Sequence, residues 1–391
     1  MTSAPAASAP LAQHVKLALL TEIISPYRIP VFNALARQKG IDLHVIFLSE
    51  TDPTQRRWLV YKGEIEFSYE VLPAWRRRWR GRHILLNRGL GPALQRFRPN
   101  SILCGGYNYP AFWEALAWAK FHRTHFVAWI ESTSRDQRDP SVLATFIKER
   151  FIRNCSAFAV PGKSAFEYVN SMGVPAERIH TAPNAVDNQR FANLARSVRE
   201  REAQYRTELS LPPRYFMYAG RVTREKGVFQ LLEAYTQLDP DLRSQVGLVL
   251  VGEETAKNEL MKDAAKIYPG TVLFPGFAQR DQLAAFYALA EVLVFPTLSD
   301  TWGLVVNEAM ACGLPIIATD VAGCVADLVH DGHNGYVVPS ANVSKLAEAM
   351  AAFARDPQLA SRMGPRSATL IEGFSPECCA AGLATAARVT V

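Results

Sequence analysis

Short apolar runs alternate with helical segments along this chain, and the alternation occurs twice. In the first half the apolar runs lie at residues 15–23, 101–106, 125–131 and 157–162. The pattern restarts later in the chain, at residues 215–220, 245–252, 271–276, 291–296 and 315–319. Strands that alternate with helices favour a parallel sheet covered by helices on both faces. The sequence therefore predicts an α/β fold of two Rossmann-like, doubly wound domains that face each other across a cleft.

A chain of 391 residues is long enough for two such domains. Doubly wound sheets bind their ligands at the carboxyl ends of the strands, so we expect the functional site there. The predicted parts are a disordered tail at 1–12, an N-terminal domain at 13–190, a polar linker with a short helix at 191–209, a C-terminal domain at 210–372, and a C-terminal helix at 373–391 that packs back toward the N-terminal domain.

Composition argues against several other classes of protein. The sequence has no run of roughly eighteen apolar residues, so it predicts no membrane-spanning helix. Its start, MTSAPAASAP, lacks the charged and apolar regions of a signal peptide, and we expect a cytoplasmic protein. The six cysteines show no C-x-x-C spacing, which favours buried free thiols over a zinc or disulfide scaffold.

Two carboxylates, Asp300 and Glu308, lie eight residues apart on either side of Gly303, which opens a helix after an apolar strand. A helix start without bulky side chains binds anions, because its unpaired amides and the helix dipole point at the ligand. An acid further along such a helix is well placed to accept hydrogen bonds from a sugar diol beside that anion. Two simpler interpretations stay open: Asp300 or Thr301 caps the helix, or Glu308 is a surface residue. The apolar neighbours of Glu308 favour a specific partner for its carboxylate.

The segment GRVTREKG, at residues 220–227, joins another apolar strand to the next helix. Arg221 and Lys226 flank this turn. Two cations at such a turn suit a diphosphate. The guanidinium group of Arg can bind two phosphate oxygens at once, and the ammonium group of Lys interacts as a point charge. Alternatively, both cations are simply solvated and Gly220 forms a plain turn.

Taken together, these motifs resemble a known family. GRVTREKG, VLVGEE, FPGF, FPTLSDTWGLVVNEAMACGLPIIATDVAG and DGHNGYVVP follow one another in the order and spacing of the second half of retaining glycosyltransferases of family 4, which have the GT-B fold. The segment PNAVDNQRF is similar to the inter-domain signature of that family. The resemblance covers residues 173–339 and implies transfer of a sugar from a nucleotide diphosphate sugar to an acceptor hydroxyl.

The resemblance implies roles for individual residues, with the donor in the C-terminal domain and the acceptor in the N-terminal domain. Arg221 and Lys226 would grip the donor diphosphate. Glu308 would accept hydrogen bonds from the ribose hydroxyls, and Asp300 would contact the transferred sugar. The other implied donor contacts lie in the same two loops and are Gly220, Thr301, Trp302, Gly303 and Leu304. The family most often has Glu in place of Asp300, which is one methylene shorter and leaves the identity of the sugar open.

The first half departs from the family in two places. Many members have a glycine-rich loop after the first strand, where this chain has ISPYRIP at residues 24–30. Ser25, Tyr27 and Arg28 in this loop are candidate acceptor contacts, with a proline-stiffened turn as the alternative. Many members also carry a histidine in the region that contains Glu131 here. Glu131 is a candidate contact to the donor sugar or to the acceptor, or it caps the next turn.

A basic, tryptophan-rich segment lies in the first half, which has 25 Lys and Arg against 15 Asp and Glu through residue 190. Its residues are Trp75, Arg76, Arg77, Arg78, Trp79 and Arg80. Tryptophan with arginine suits an anionic membrane surface, and predicts peripheral attachment to the inner face of the membrane. A solvated loop with locally packed tryptophans is the alternative. Nucleic acid is not expected as a partner, because the sequence contains no recognisable stacking module.

We expect no metal and no cofactor. The sequence HDGH at residues 330–333 is typical of a turn, and cations with a helix terminus can stabilise a leaving diphosphate in a GT-B enzyme. The resemblance implies a retaining hexosyltransferase of bacterial-type surface glycan or glycolipid synthesis, with a glycan or lipid-linked acceptor. The alternatives are a GT-B nucleotide-sugar epimerase or phosphorylase, and a non-catalytic, membrane-docking subunit that binds nucleotide sugars.

Overall fold

The computed structural model describes residues 14–52, 58–79, 82–135, 142–253 and 257–388. The tail predicted for residues 1–12 lies outside these ranges. Within them the chain forms two α/β domains, one after the other, each around its own parallel sheet. The predicted fold class is confirmed.

The first domain contains nine strands and five helices among the described residues. The strands are β1 (Val15–Thr21), β2 (Ile41–Phe47), β3 (Ser68–Val71), β4 (Ala74–Trp79), β5 (Arg82–Asn87), β6 (Ser101–Cys104), β7 (His125–Trp129), β8 (Ala157–Val160) and β9 (Ile179–Thr181). The helices are α1 (Ile29–Ala36), α2 (Leu90–Phe97), α3 (Pro110–His122), α4 (Val142–Ile152) and α5 (Lys163–Ser171).

Seven of these strands form one parallel sheet in the order β3-β2-β1-β6-β7-β8-β9. Along β1, Leu17 and Leu19 face one layer of helices, whereas Ala18 and Leu20 face the other. Successive side chains of a strand point to opposite faces, so a strand covered on both sides needs an apolar residue at every position. This requirement explains the uninterrupted apolar runs in the sequence.

The second domain repeats the arrangement with six parallel strands in the described residues. The strands are β10 (Tyr215–Ala219), β11 (Gly247–Val251), β12 (Val272–Gly276), β13 (Val292–Phe295), β14 (Ile316–Thr319) and β15 (Gly335–Val338). Their order is β12-β11-β10-β13-β14-β15. In both sheets the order of the strands reverses beside the first strand of the domain, β1 or β10, and doubly wound folds bind ligands at that point.

The remaining helices surround this second sheet or connect it to the first domain. They are α6 (Asn188–Arg199), α7 (Glu202–Glu208), α8 (Val228–Thr236), α9 (Pro240–Gln245), α10 (Lys257–Ala264), α11 (Arg280–Leu289), α12 (Leu304–Ala311), α13 (Val325–Leu328), α14 (Val343–Arg355), α15 (Gln358–Ile371) and α16 (Pro376–Ala387). None of the helices in the described ranges has the combination of length and apolar character that crossing a bilayer requires.

The polar stretch predicted as a linker with one short helix is instead almost entirely helical. It forms the end of α6 and all of α7. Phe191, Ala195 and Val198 of α6 are buried and join the hydrophobic core of the second domain. A single apolar stripe on an otherwise charged helix explains why the segment looked like a linker.

The last helix, α16, crosses back to the first domain. Cys379, Ala380 and Leu383 are buried in the same hydrophobic cluster as α1 and the face of the first sheet. Small residues dominate this helix, and Gly382 lies against the backbone of Thr181, where an added Cβ would meet the carbonyl oxygen at 2.2 Å. The close approach ties the end of the chain to β9.

Candidate functional site

The loops that follow β10 and β13 meet at the carboxyl edge of the second sheet. The backbone N–H of Leu298 donates to the carbonyl oxygen of Glu225 at 2.9 Å. Gly227 makes this approach possible, because its φ is +69° and an added Cβ would lie 1.9 Å from the carbonyl oxygen of Pro296. A residue with a side chain cannot take this position without moving one loop away from the other.

Lys226 and Asp300, which are 74 positions apart in the sequence, are in direct contact where the two loops meet. Lys226 Nζ donates to Asp300 Oδ2 and to the carbonyl oxygen of Ser299, both at 2.8 Å. Asp300 Oδ1 accepts from the backbone N–H of Trp302 at 3.1 Å. Both side chains are largely buried, so their charges interact more strongly than a surface pair would.

Arg221 lies in the same loop as Lys226, with its side chain exposed. It forms no ion pair with any residue in the described part of the chain. The buried hydroxyl of Tyr218 donates to the carbonyl oxygen of Arg221 at 2.6 Å and stabilises the turn. Burial raises the pKa of Tyr218 well above its usual value, so this hydroxyl remains a donor. The turn is therefore held in place while the guanidinium group stays available.

Helix α12 begins at the same edge with no side-chain cap. Gly303 precedes it with a φ of +100°, and an added Cβ would lie 2.6 Å from the ring of Phe295. Thr301 and Leu304 flank Gly303 and are partly exposed. The first amides of the helix therefore keep the uncapped arrangement that favours an anion.

Glu308, one turn into α12, is partly exposed, and its carboxyl group lies against α11. Its Oε2 accepts a hydrogen bond from the hydroxyl of Tyr287 at 2.9 Å. Burial raises the pKa of Glu308 to about 7, against the opposing effects of Tyr287 and Arg280. The surface-residue interpretation of Glu308 is therefore wrong, because the carboxylate has a specific buried partner.

Trp302 does not offer its side chain to a ligand, which corrects the predicted donor contact. The indole is 3% exposed, and its Nε1 donates to Asn307 Oδ1 at 2.9 Å. Asn307 Nδ2 in turn donates to the carbonyl oxygen of Asn184 in the first domain at 2.8 Å. The bulky apolar ring is buried between α12 and the first domain, whereas the backbone N–H of Trp302 donates to Asp300 within the loop.

A cavity of about 180 Å³, called here the N-terminal cavity, lies at the carboxyl edge of the first sheet. All four predicted acceptor residues line it: Ser25, Tyr27, Arg28 and Glu131. Arg28 forms an ion pair with Glu131, and its guanidinium carbon lies 4.0 Å from the ring centre of Trp129. Burial alone would lower the pKa of Arg28, but Glu131 and Tyr27 raise it overall, so the group stays charged.

One asparagine connects this cavity to the second domain. Arg28 donates through Nη1 to Asn184 Oδ1 at 3.0 Å, and the carbonyl oxygen of Asn184 accepts from Asn307 of α12. The N-terminal cavity and α12 are therefore linked through two hydrogen bonds. The carboxylate of Glu131 and the guanidinium group of Arg28, both from the first domain, thus connect through Asn184 to the amide of Asn307 in the second.

The basic, tryptophan-rich segment forms an antiparallel hairpin of β4 and β5, which was not predicted as strands. Alternation along β4 separates its side chains. Trp75 is 52% exposed and pairs with exposed Leu86, and Arg77 is exposed as well. Arg76 instead turns inward, where it forms an ion pair with Asp52 and lies 4.0 Å from Glu22. Arg76 is therefore unavailable to a membrane surface, which corrects that part of the prediction.

Other predicted members of this segment are only partly covered. The backbone of Arg78 and Trp79 belongs to β4, and Arg80 lies outside the described residues. The described part of the chain contains no group of three or more His, Cys, Asp or Glu side chains close enough to hold a metal ion.

Three residues of the cleft were missed in the sequence. Asn184 lies in the PNAVDNQRF motif and Asn307 precedes Glu308, so proximity to a motif could have indicated both. Tyr287 has no such signal. It lies in an apolar stretch of α11 and meets Glu308 only through the packing of α11 against α12.

The two facing, doubly wound domains, with an anion-type site at the carboxyl edge of the second, define a GT-B protein. Solved structures have the same fold. Anabaena HepE in complex with UDP and glucose aligns with a TM-score of 0.74 at 17% identity, covering 95% of this chain and 99% of that one. A sucrose-phosphate synthase from Thermosynechococcus elongatus aligns with a TM-score of 0.70 at 19% identity, covering 95% and 98%.

Family models match both halves of the chain. Residues 31–190 match the family described as Glycosyltransferase Family 4, and residues 200–369 match Glycosyl transferases group 1. Similar curated proteins include a D-inositol 3-phosphate glycosyltransferase of Streptomyces bingchenggensis, 32% identical over 67% of this chain and 60% of the relative. An alpha-D-kanosaminyltransferase of Streptomyces kanamyceticus is 28% identical over 61% of each.

The chain belongs to the group 1 glycosyltransferases, with the N-terminal domain of family 4. It spans about 60% of the length of the curated relatives that it matches. The family was predicted from the motifs of the second half, and that prediction is confirmed.

Proposed function

We propose that this protein is a glycosyltransferase that moves a sugar from a nucleotide diphosphate sugar to an acceptor hydroxyl, with retention at the anomeric carbon. The observation that carries the proposal is the contact of Lys226 with Asp300 where the loops after β10 and β13 meet. A cation suited to a diphosphate and a carboxylate suited to sugar hydroxyls are thus one hydrogen bond apart. The glycosyltransferase names of the relatives support the same activity.

The leaving diphosphate is the chemical problem in this reaction. The bond from the anomeric carbon to the phosphate oxygen breaks, and its electron pair leaves with the phosphate. Arg221, Lys226 and the first amides of α12 stabilise the charge that develops there. The acceptor hydroxyl attacks from the same face, and its proton passes to the departing oxygen. NMR of the product tests this stereochemistry, since an inverted anomer would contradict retention.

We propose that these groups perform the step without a metal or another cofactor. Preorganised cations and amides stabilise negative charge in a water-poor site, which is also what a bound divalent ion would do. Turnover should therefore stay within about twofold after treatment with EDTA. A loss that Mg²⁺ or Mn²⁺ restores would contradict this part of the proposal.

The acceptor, in this proposal, enters the N-terminal cavity. Tyr27, Trp58, Tyr109 and Trp129 supply aromatic surface there, and the partly exposed carboxylate of Glu131 can accept from a ring hydroxyl. This lining suits a sugar ring of a surface glycan or glycolipid. A cyclic polyol phosphate is the second candidate, because the name of one relative specifies D-inositol 3-phosphate. Transfer to a panel of both acceptor classes distinguishes them.

We also propose that the outer face of the β4–β5 hairpin touches an anionic membrane surface. Trp75 and Leu86 supply exposed apolar area, and exposed Arg77 supplies charge beside them. Such a surface suits the headgroup region of a bilayer. Flotation with vesicles that contain about 30% anionic lipid should carry the protein upward, and less so for Trp75→Ala. Equal flotation of the variant would contradict the assignment.

Lys226→Ala is the direct test of the activity. Removing one preorganised charge donor should lower turnover with the true donor by about a hundredfold or more. Lys266→Ala is the matched control, because Lys266 is an exposed lysine of the same domain that pairs with Asp263. Near-normal turnover of Lys226→Ala would remove this residue from the leaving-group role.

The alternative functions give different outcomes in the same assay. An epimerase converts the nucleotide sugar without any acceptor. A non-catalytic subunit binds the nucleotide sugar but shows no turnover with any acceptor. A transferase forms product only when the acceptor is present.

A further inference from the structure

The donor site contains a buried tyrosine that the proposed reaction does not use. Tyr287 of α11 is completely buried, and its hydroxyl donates to Oε2 of Glu308. Burial and the nearby Glu308 raise the pKa of Tyr287 far above its usual value, so the hydroxyl keeps its proton. The direction of the hydrogen bond is therefore fixed: tyrosine donates and the carboxylate accepts.

We propose that Tyr287 is a positioning residue of the donor site, whose hydroxyl holds Oε2 of Glu308 so that Oε1 is left to accept the ribose hydroxyls. This inference rests on the proposed function. Oε1 has no hydrogen-bond partner among the described residues, and Glu308 is partly exposed whereas Tyr287 has no exposed surface. The hydrogen bond thus lies on the buried side of the carboxylate and leaves the other oxygen toward the cleft.

The charges around Glu308 are few, which makes the effect of one hydroxyl measurable. From α11, Arg280 attracts the carboxylate, and from β10, Tyr218 faces Tyr287 as a neutral phenol. Cys312, which directly follows α12, has a pKa raised by burial and stays a thiol. Arg199 of α6 binds the carbonyl oxygens of Ala288 and Cys312 beyond it. β13 and β14 contain no charged residue, and the arginines of α15 contact Asp356 and the carbonyl oxygen of His333.

Loss of the tyrosine hydroxyl changes the charge state of Glu308 in a known direction. The hydrogen bond from Tyr287 lowers the pKa of Glu308, which burial has already raised to about 7. Tyr287→Phe therefore raises this pKa further, and more of the carboxyl group is protonated at neutral pH. A protonated carboxyl group accepts fewer hydrogen bonds from a diol. Donor binding should weaken at neutral pH and recover at higher pH.

The experiment measures the Kd of UDP-glucose and GDP-mannose by calorimetry from pH 6 to 9, using whichever binds better. The diphosphate diester does not titrate in this range. Ionisation of the uracil or guanine base near its upper end affects every variant alike, because each variant is compared with the unchanged protein at the same pH. The variants are Tyr287→Phe, Glu308→Gln and Tyr235→Phe. Tyr235 is the matched control because its buried hydroxyl also donates within the second domain, to the carbonyl oxygen of Val246 at 2.8 Å, away from Glu308.

We expect Tyr287→Phe to bind about tenfold more weakly at pH 7 and within about twofold of the unchanged protein at pH 9. Glu308→Gln should show weak binding at every pH, and Tyr235→Phe should follow the unchanged protein. Because the ribose does not react, KM should change and kcat should not. An equal loss at every pH, or no loss at pH 7, would overturn the role of Tyr287. If neither binds the unchanged protein, a panel of other nucleotide diphosphate sugars is tested, and a protein that binds none of them contradicts the proposed function itself.

Discussion

At the scale of single residues, burying a charge costs free energy, and most buried charges in the cleft are paired with an opposite charge that offsets this cost. Lys226 and Asp300 neutralise each other, Arg28 does the same with Glu131, and Arg76 with Asp52. Glu308 is different, because among the described residues the only hydrogen-bond partner of its carboxylate is a neutral hydroxyl. A carboxylate left without a cation in contact should weaken the fold when it ionises.

Glu308→Gln should therefore stabilise the ligand-free protein at high pH more than at low pH. The ordinary pKa near 4.5 applies to the unfolded chain, and the folded protein raises it to about 7. The folded state thus binds more protons in this window, and stability falls as the pH rises from about 4.5 to about 7. The variant lacks this fall, so its advantage at pH 8 over pH 5 should reach at most about 3 kcal/mol.

Thermal unfolding of both proteins at pH 5 and pH 8 checks this expectation. Groups that titrate identically in the two proteins cancel in the difference. Glu348→Gln is the control, since Glu348 is an exposed carboxylate on α14 paired with Lys345. The interpretation fails if the two Glu→Gln variants show the same dependence on pH.

At the scale of elements, the proposed donor site depends on two loops that Gly227 allows to come into contact. Gly227→Ala introduces a Cβ that would lie 1.9 Å from the carbonyl oxygen of Pro296, at a φ of +69°. We expect a loss of more than about 3 kcal/mol in unfolding free energy and at least a tenfold loss of nucleotide-sugar affinity, because Lys226 moves away from Asp300.

Gly332→Ala separates backbone strain from loop separation. Gly332 has the same φ of +69°, but nothing lies within 4 Å of an added Cβ. This variant should lose only about 1 kcal/mol and keep its donor affinity. Urea unfolding and calorimetry measure both quantities, and similar results for the two variants would show that contact between the loops is unimportant.

Local patterns predicted the sheets and the motifs of the second domain. Strand burial, helix starts and motif spacing each depend on residues that are close together in the sequence. The β4–β5 hairpin was missed because β4, with three consecutive Arg residues between two Trp residues, lacks the alternation of apolar and polar residues that indicates a strand. The inward turn of Arg76 depends on Asp52, and the pairing of Tyr287 with Glu308 spans 21 positions. Contacts of this kind are set by packing between elements, which a single sequence does not display.

At the scale of the whole molecule, the two domains are connected by an ion pair as well as by the polypeptide chain. Arg280 at the start of α11 makes a two-pronged ion pair with Glu64 of the first domain, at 3.0 and 2.6 Å. The guanidinium group also lies 4.2 Å from the ring centre of Tyr61. Arg280 is 11% exposed, and its charge is compensated chiefly by Glu64 and also by Asp281, whose Oδ1 lies 3.5 Å from Arg280 Nε.

Glu64→Gln should make the closed arrangement of the domains less stable. A closed cleft keeps water from the donor, so opening it should favour transfer of the sugar to water over transfer to the acceptor. We expect the ratio of donor hydrolysis to transfer to rise about fivefold, since the pair is only partly buried and contributes about 1 kcal/mol. Small-angle scattering of the ligand-free variant should give a larger radius of gyration.

Glu66→Gln is the control, because Glu66 pairs with Arg37 within the first domain and both side chains are exposed. An unchanged ratio and radius for Glu64→Gln would mean that other contacts between the domains, such as Asn184–Asn307 and Lys163–Asp327, hold them together without this ion pair.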